Sequence, residues 1–216
     1  MIRRFLVVDD HPVFRRGLVA LIHSREGYRV EAEAGSAEEA LEALEAFVPD
    51  IALVDITLKA ENGLDLVRTI RKIHPGVPVL IVTMHDEIVY AERAMKAGAR
   101  GLVMKQEAPE TILEAVRMVL SGRVYLSEAM NERLIEAMFA APGDGESSPI
   151  ERLSERETEV LEFIGQGFGA AEIARTLSLS VKTINTYQEH LKEKLNLESS
   201  ADVRRFAVSW FRSMHR

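Results

Sequence analysis

The sequence predicts an α/β fold, a doubly wound five-stranded parallel sheet, followed by a small all-α domain. Two observations predict it. Short, continuous apolar runs alternate with amphipathic stretches over about the first 122 residues, as is typical of repeated βα units. A stretch rich in Pro, Gly and Ser follows at 141–149, and only helical patterns occur after it. We therefore expect a first domain at 1–122, a linker helix and flexible linker at 123–149, and a second domain at 150–216.

Five strands and five helices are expected to alternate in the first domain. Three strands are continuous aliphatic runs, as strands buried on both faces should be. The second helix begins with a capping box at Ser36 and Glu39, and the fourth ends at Gly98, a natural C-cap. The strands are predicted at 5–8, 28–34, 51–54, 77–82 and 101–104, and the helices at 12–23, 37–47, 63–73, 87–97 and 109–120.

Only helices are predicted in the rest of the chain. They span 127–139, 154–165, 170–177, 181–195 and about 201–213. The helices at 170–177 and 181–195 are separated by three residues, which is helix-turn-helix spacing. Ser180 is a suitable N-cap for the second of them. The second domain is therefore predicted to be an all-α helix-turn-helix domain.

Composition and charge exclude several classes of protein for this chain. Of the 216 residues 47% are apolar and 28% charged, which excludes wholesale disorder. Without Cys no disulfide scaffold is possible, and no apolar run approaches the ~20 residues of a membrane span. We expect a soluble, cytoplasmic protein that does not bind membranes. The net charge of −7 belongs to residues 1–124 (−3) and 125–149 (−4), while residues 150–216 are neutral.

Polar residues follow the predicted strands at the points where those strands end. Asp9 and Asp10 follow the first strand, Asp55 the third, Thr83 the fourth and Lys105 the fifth. The carboxyl ends of parallel strands line one crevice, so these side chains should converge. Three carboxylates repel one another unless a cation joins them, and Mg²⁺ favours carboxylate and phosphate oxygens.

This set of residues is suited to a transient aspartyl phosphate. Asp55 would be the nucleophile, while Mg²⁺ and Lys105 would offset the charge that develops. The alternative is that each polar residue merely ends its strand, as many do. The joint occurrence of all five in this order favours the chemical interpretation.

Residues 1–122 resemble the receiver domain of bacterial response regulators. The matching positions are Asp9, Asp10, Asp55, Thr83 and Lys105, with 62–64 after the nucleophile and 98–101 before the lysine. The resemblance implies a flavodoxin-like sheet of order 2-1-3-4-5, Mg²⁺ held by Asp9, Asp10 and Asp55, and phosphorylation of Asp55 by a sensor histidine kinase. It also implies that Lys105 pairs with the phosphoryl group and that Thr83 acts as a switch.

The chain departs from the usual receiver pattern in three places, and the third, Gln106 after the lysine where many relatives carry an acid or proline, has little weight. Leu58 and Lys59 replace Met-Pro after the nucleophile, which predicts a more mobile, charged loop. Leu102 stands where an aromatic side chain usually moves with the switch. Thr83 and Leu102 are therefore the predicted switch positions, with an altered relay between them. The first two departures leave the phosphorylation chemistry unchanged.

A phosphatase of the haloacid dehalogenase type is the competing interpretation, because such enzymes also use an aspartyl phosphate, Mg²⁺ and a lysine. Such enzymes carry an Asp-x-Asp motif that begins at the nucleophile. The second Asp of the motif is the general acid and base that drives turnover. Thr57 occupies that position here. Without the acid, hydrolysis should be slow and the phosphoryl group should persist as a signal. We therefore expect a signalling protein and not an enzyme.

The helix predicted at 181–195 has two distinct faces. Ile184, Leu191 and Leu195 share the apolar one. The side chains of the polar face suit base edges in DNA: Lys pairs with guanine, Asn with adenine, the Thr methyl with thymine, and Glu accepts from cytosine. Periodicity alone favours an ordinary solvated face over a DNA-reading one. The candidate DNA-contacting residues are Lys182, Thr183, Asn185, Thr186 and Glu189.

Residues 150–212 are similar to the LuxR-type DNA-binding domain. The similarity rests on 153–161, 172–177, 180–185 and 194–195, and its combination with a receiver is typical of NarL/FixJ-class transcriptional regulators. Relatives usually carry cations near 171 and 188–190, where this chain has Ala171, Gln188, Glu189 and His190. Each missing cation removes a phosphate contact, so weak DNA affinity is expected for the monomer.

The resemblance implies a response regulator of a two-component phosphorelay. Its expected partners are a cognate sensor histidine kinase, double-stranded promoter DNA, a second copy of the chain on phosphorylation, and RNA polymerase. The missing cations motivate an alternative, a signalling protein whose tail contacts proteins and not DNA. Val208 and Phe211, at the edge of the last apolar stripe, are candidates for a dimer contact or for the boundary of the core.

Overall fold

The structure, a computed structural model, describes residues 2–58, 61–132 and 149–214. The chain divides into two compact units, Met1–Phe139 and Ala140–Arg216. Within the described ranges, each helix is too short or too polar to cross a membrane.

The amino-terminal unit alternates strands and helices. Its strands are β1 (Arg3–Val8), β2 (Tyr28–Ala34), β3 (Ile51–Val54), β4 (Thr57–Leu58), β5 (Glu61–Asn62), β6 (Val79–Thr83) and β7 (Gly101–Met104). Its helices are α1 (Pro12–His23), α2 (Ala37–Ala46), α3 (Gly63–Ile73), α4 (Glu87–Ala97) and α5 (Pro109–Leu120). The predicted bounds of α1, α3, α4 and α5 are those observed.

Five of the strands form one parallel sheet in the order β2-β1-β3-β6-β7. This is the predicted order 2-1-3-4-5, and the predicted fold class is confirmed. The central strands β3 and β6 are buried along their whole length, as their continuous apolar sequences require. Because the strands are parallel, all five carboxyl ends lie at one edge of the sheet.

A small antiparallel hairpin of β4 and β5 interrupts the alternation after β3. Leu58 lies in this hairpin and is fully buried, so the expectation of a mobile loop is wrong at Leu58. The apolar side chain packs inward where a solvated loop was expected. Lys59, the other residue of that expectation, lies outside the described residues.

The segment after α5 returns to the edge of the sheet. Tyr125 forms an isolated parallel bridge with Gly101, and residues 128–132 are helical, where the helix at 127–139 was predicted to begin. Leu126 and Met130 are buried. Positions 133–139 of that predicted helix, and the flexible linker at 141–148, lie outside the described residues.

The carboxy-terminal unit is helical. It contains a 3₁₀ helix (Pro149–Arg152), α6 (Glu155–Gly165), α7 (Ala170–Thr176), α8 (Val181–Lys194) and α9 (Ser200–Met214). The predicted capping box is present, with Ser154 as N-cap of α6 and Glu157 as its partner. Ser178, in the turn between α7 and α8, has φ 54°, and the buried Leu177 before it packs in the helical core. These residues build the predicted helix-turn-helix.

Helix α9 packs closely on helix α6. A Cβ atom at Gly165 would lie 2.8 Å from both the Ala207 carbonyl oxygen and the Phe211 Cβ. Phe211 thus lies at the boundary of the core, one of the two positions expected for it. Whether Val208 and Phe211 take part in a dimer stays a prediction.

Candidate functional site

Three carboxylates meet at the carboxyl ends of β1 and β3. These strands are neighbours, Val8 is paired with Val54, and the Asp55 amide donates to the Val8 carbonyl at 2.9 Å. Asp9 and Asp55 are therefore brought side by side, although 46 positions separate them. Each of Asp9, Asp10 and Asp55 offers an oxygen within 4.8 Å of those of the others.

The buried ammonium of Lys105 lies against two of these carboxylates. Its Nζ is 2.6 Å from Asp9 Oδ2 and 2.7 Å from Asp55 Oδ2. Lys105 follows β7, and its amide donates to the Thr83 carbonyl at 2.7 Å, so the backbone of β6 fixes where its side chain starts. The ammonium also lies 4.6 Å from the centre of the Phe14 ring, a cation–π distance.

The donor set fits a hard divalent cation. Three carboxylates against one ammonium leave a formal charge of −2. Asp55 is 3% exposed, and its Oδ1 has no hydrogen-bond partner among the described residues. A buried oxygen without a partner is costly unless a ligand satisfies it. Asp9, Asp10 and Asp55 are therefore the residues that would hold Mg²⁺.

Burial raises the pKa of the Asp55 carboxyl, while the Lys105 ammonium acts to lower the same pKa. The neighbouring carboxylate of Asp9 adds to the rise. A bound cation favours the charged form and would oppose this rise, so the site is best suited to a carboxylate when it is loaded.

The two predicted switch positions lie on adjacent strands. Thr83 is fully buried at the end of β6, and its Oγ1 accepts a hydrogen bond from the His85 amide at 3.2 Å. Leu102 is fully buried on β7, where it is paired with Ile81. The register thus places them two positions apart along the strand pair. A movement that links them stays a prediction.

The predicted division of α8 into two faces is present. Ile184 and Leu191 are buried, whereas Lys182, Asn185, Thr186 and Glu189 are exposed and Thr183 is half-buried. Ser180 caps the helix by accepting from the Thr183 amide at 3.0 Å. The side chains of Lys182 and Asn185 make no hydrogen bond or ion pair within the described part of the chain, so their polar ends are available to a ligand.

Residues 5–117 match the response regulator receiver domain, and residues 151–207 match the luxR family of bacterial regulatory proteins. The chain is 35% identical over 204 residues to the transcriptional activator protein ExaE of Pseudomonas putida, covering 94% of each protein. The chain belongs to the LuxR-type response regulators. This confirms the family expected from the sequence, a receiver domain joined to a LuxR-type DNA-binding domain in a transcription regulator.

Further relatives of this response regulator cover nearly the same length. Response regulator GacA of Pseudomonas aeruginosa is 32% identical over 95% of both proteins. The crystal structure of a LuxR-family two-component response regulator from Aurantimonas sp. SI85-9A1 is 36% identical, with a TM-score of 0.60, over 64% of this chain and 99% of that one. RcsB of Salmonella enterica serovar Typhimurium, bound to promoter rprA with BeF₃⁻, shares the fold at 24% identity and a TM-score of 0.61, over 96% and 99% of the two chains.

Sequence reasoning about this response regulator missed His11. Its Nδ1 is 2.7 Å from Asp10 Oδ1, 3.5 Å from Asp9 Oδ1 and 4.0 Å from Asp55 Oδ2. The signal that marks it is its position, directly after Asp9 and Asp10 and directly before Pro12 at the start of α1.

A second missed feature of this response regulator is a buried polar pair. Thr57 Oγ1 and His85 Nε2 are 2.9 Å apart, and the His85 ring lies 4.8 Å from that of Tyr90. Thr57 is two residues after Asp55, and His85 is two after Thr83. No sequence spacing joins two residues 28 positions apart, so only the fold reveals the contact.

Proposed function

We propose that a sensor histidine kinase phosphorylates Asp55 of this response regulator, and that the phosphoryl group controls dimerisation and sequence-specific DNA binding. The observation that carries the proposal is the buried Asp55 Oδ1, without a hydrogen-bond partner among the described residues, beside Lys105 and two further carboxylates. It supports the roles given to Asp9, Asp10, Asp55 and Lys105, while the proposed switch role of Thr83 rests on the family resemblance.

The proposed step is a transfer between two nucleophiles. Asp55 Oδ1 attacks the phosphorus of a phosphohistidine donor, a P–O bond forms as the P–N bond breaks, and the donor imidazole leaves. Mg²⁺, when bound, would neutralise the phosphoryl oxygens. Lys105 Nζ, already 2.7 Å from Asp55 Oδ2, would hold one of those oxygens. Because Thr57 supplies no acid near the nucleophile, water attack should be slow and the acyl phosphate should persist.

The output of the proposed function is DNA binding by α8 in the cytoplasm. Its exposed polar face supports base contacts by Lys182, Thr183, Asn185, Thr186 and Glu189. A dimer would place two such helices in successive major grooves, and would roughly double the phosphate contacts of a neutral domain. We assign receiver, linker and DNA-binding functions to residues 1–122, 123–149 and 150–216.

The phosphoacceptor is tested by labelling with acetyl phosphate and Mg²⁺. Phosphate-affinity electrophoresis of the full chain should show a shifted species for the wild type and none for Asp55→Asn. Asp65→Asn, an exposed carboxylate on α3, is the matched control and should shift like the wild type. Equal labelling of Asp55→Asn and wild type would show that the site is assigned wrongly.

The output is tested by selection from genomic DNA fragments at low salt with the phosphorylated chain. We expect enrichment of a sequence with two half-sites, lost in Asn185→Ala while the helical content is kept. Glu198→Ala, an exposed residue between α8 and α9, is the control. No enrichment by the wild type would favour the alternative in which the tail contacts proteins.

A further inference from the structure

His11 lies beside the three carboxylates of the site, and its side chain is directed at all of them. His11, Asp9, Asp10 and Asp55 each offer one ligand atom, and all four atoms lie within 4.8 Å of one another. When two ligand atoms lie on opposite sides of one ion, each at ~2.0–2.2 Å from it, the distance between the two atoms is slightly less than this 4.8 Å limit. The four groups are therefore close enough to share one ion after small side-chain adjustments.

The backbone holds His11 in this position. Its amide donates to Asp9 Oδ1 at 2.8 Å, and His11 is the N-cap residue of α1, with extended φ and ψ of −92° and 101°. Pro12 follows, and a residue before proline is restricted to such conformations. Two constraints thus act on the His11 backbone, and its imidazole lies beside Asp10 with 56% of the side chain exposed.

A second observation, beyond the clustering of the four side chains, points to a ligand here. Asp55 Oδ1 is buried and has no hydrogen-bond partner among the described residues, although Asp55 belongs to the cluster. Lys105 neutralises only one of the three carboxylates, so a divalent cation completes the charge balance. The site is therefore built for an ion, and its donors include one nitrogen.

We propose that the His11 imidazole is a fourth ligand, and that this makes the cluster a mixed nitrogen–oxygen site that binds first-row divalent transition ions in preference to Mg²⁺. Imidazole nitrogen suits transition ions, whereas Mg²⁺ takes oxygen ligands and retains its waters. The added nitrogen should therefore raise the affinity for Mn²⁺ and Co²⁺ more than that for Mg²⁺. The inference rests on the proposed phosphorylation site, because both use the same carboxylates.

The test uses Mn²⁺ bound to the unphosphorylated full chain, because pulsed electron paramagnetic resonance detects a coordinated ¹⁴N directly. We expect nitrogen coupling in the wild type and its loss in both His11→Ala and His11→Gln. Mn²⁺ affinity should fall about tenfold or more in both variants, a loss that even removal of an outer-shell partner can cause. Mg²⁺ affinity, measured by competition, should change less. His74→Ala, outside the cluster at the end of α3, should behave like the wild type.

The inference is overturned if wild-type Mn²⁺ shows no nitrogen coupling, if the coupling survives in His11→Ala, or if Mn²⁺ does not bind. Failure of the proposed function gives a different result, because it appears as absent labelling of Asp55 by acetyl phosphate in Mg²⁺. Nitrogen coupling without labelling would support the metal assignment and reject phosphorylation. Labelling without nitrogen coupling would support phosphorylation and reject the metal assignment.

Discussion

The position of Asp55 depends on a residue that has no side chain. A Cβ atom at Gly63 would lie 1.8 Å from the Asp55 carbonyl oxygen, and the Gly63 amide donates to the Ile56 carbonyl at 2.6 Å. The start of α3 is thus in direct contact with the backbone that carries the nucleophile. Any side chain at this position must displace one segment or the other.

Gly63→Ala should therefore destabilise the amino-terminal unit and disturb its chemistry. We expect a loss of about 1–3 kcal/mol in the free energy of unfolding, the usual cost of overpacking, and slower labelling of Asp55 by acetyl phosphate. Urea unfolding and the labelling rate measure the two effects. Gly76→Ala, where a Cβ would meet nothing within 4 Å, is the control. An unchanged urea midpoint in Gly63→Ala would contradict the prediction.

Residue identity was sufficient to predict the five residues at the strand ends, since each follows directly from where an apolar run stops. It was not sufficient for His11 or for the contact between Thr57 and His85. Those contacts depend on loop paths and on side-chain rotamers after the sheet has formed. Sequence patterns report periodicity along the chain, and such contacts join residues across it.

At the scale of secondary-structure elements, the segment after α5 is attached to β7, which carries the switch position Leu102, and to α4. The Tyr125 amide donates to the Arg100 carbonyl at 3.0 Å, and the Leu102 amide donates to the Tyr125 carbonyl at 3.1 Å. The Ser127 amide donates to Glu87 Oε1, on the first turn of α4, at 2.8 Å. A displacement of β7 or α4 is therefore transmitted to the start of the linker.

Replacement of Glu87 should release this segment. In hydrogen–deuterium exchange of the full chain, the amides of residues 125–130 should exchange faster in Glu87→Ala. Glu87→Gln should lie between it and the wild type, because a neutral acceptor makes a weaker hydrogen bond than a carboxylate. Glu92→Ala, an exposed residue of the same helix paired with Lys96, is the control. Equal exchange in the two alanine variants would refute the coupling.

A second link joins the beginning of α6 to the end of α8. Glu157 is 3% exposed and accepts from the Ser154 amide at 2.7 Å and from Lys194 Nζ at 2.6 Å. Burial acts to raise the pKa of the Glu157 carboxyl, but the hydrogen bonds from Lys194 and Ser154 outweigh it and hold that pKa below its ordinary value.

The helical unit should therefore lose stability in acid. A carboxyl with a lowered pKa stabilises the fold above its unfolded pKa, and this contribution declines as the pH falls from there to the lowered value. Thermal unfolding followed by the fluorescence of Trp210, the one tryptophan of the chain, reports on this unit. Glu157→Gln should lower the neutral-pH midpoint and flatten the acid decline. Glu193→Gln, exposed on α8, should do neither.

Long periodic elements were predictable because their signal accumulates over many residues, as the agreement at α3 and α5 shows. The hairpin of β4 and β5 was not, since strands of two residues have no period. The observed bounds of two strands, β1 and β6, differ from the predicted ones. β1 begins at the polar Arg3, and β6 begins after Pro78, which lacks the amide that a ladder needs.

At the scale of the whole molecule, the acidity lies outside the DNA-binding domain. Residues 1–149 carry a net charge of −7, whereas residues 150–216 are neutral. The division into two units was predictable from the composition of the linker, which contains Pro, Gly and Ser and separates two different periodicities.

Glu189→Lys should strengthen sequence-independent DNA binding and make it more sensitive to salt. Glu189 is exposed on α8 and forms an ion pair with Lys192, so the substitution adds one cation and releases another. Each new phosphate contact should steepen the slope of log K against log[salt] by about 0.9. Fluorescence anisotropy across a salt series measures the slope. Glu110→Lys, the same charge change on α5, should leave it unchanged; equal slopes in all three proteins would count against binding through α8.

The bridge at Tyr125 also bears on aggregation. Strands at the edges of a sheet offer unpaired backbone groups to other chains. Tyr125 occupies part of the β7 edge beside Gly101 and Leu102, so that edge is partly closed within the chain itself. The opposite edge, β2, exposes Arg29, Glu31 and Glu33 on alternate positions, and such charges disfavour pairing with a second sheet. The fold thus protects its two sheet edges by different means, one by covering and the other by charge.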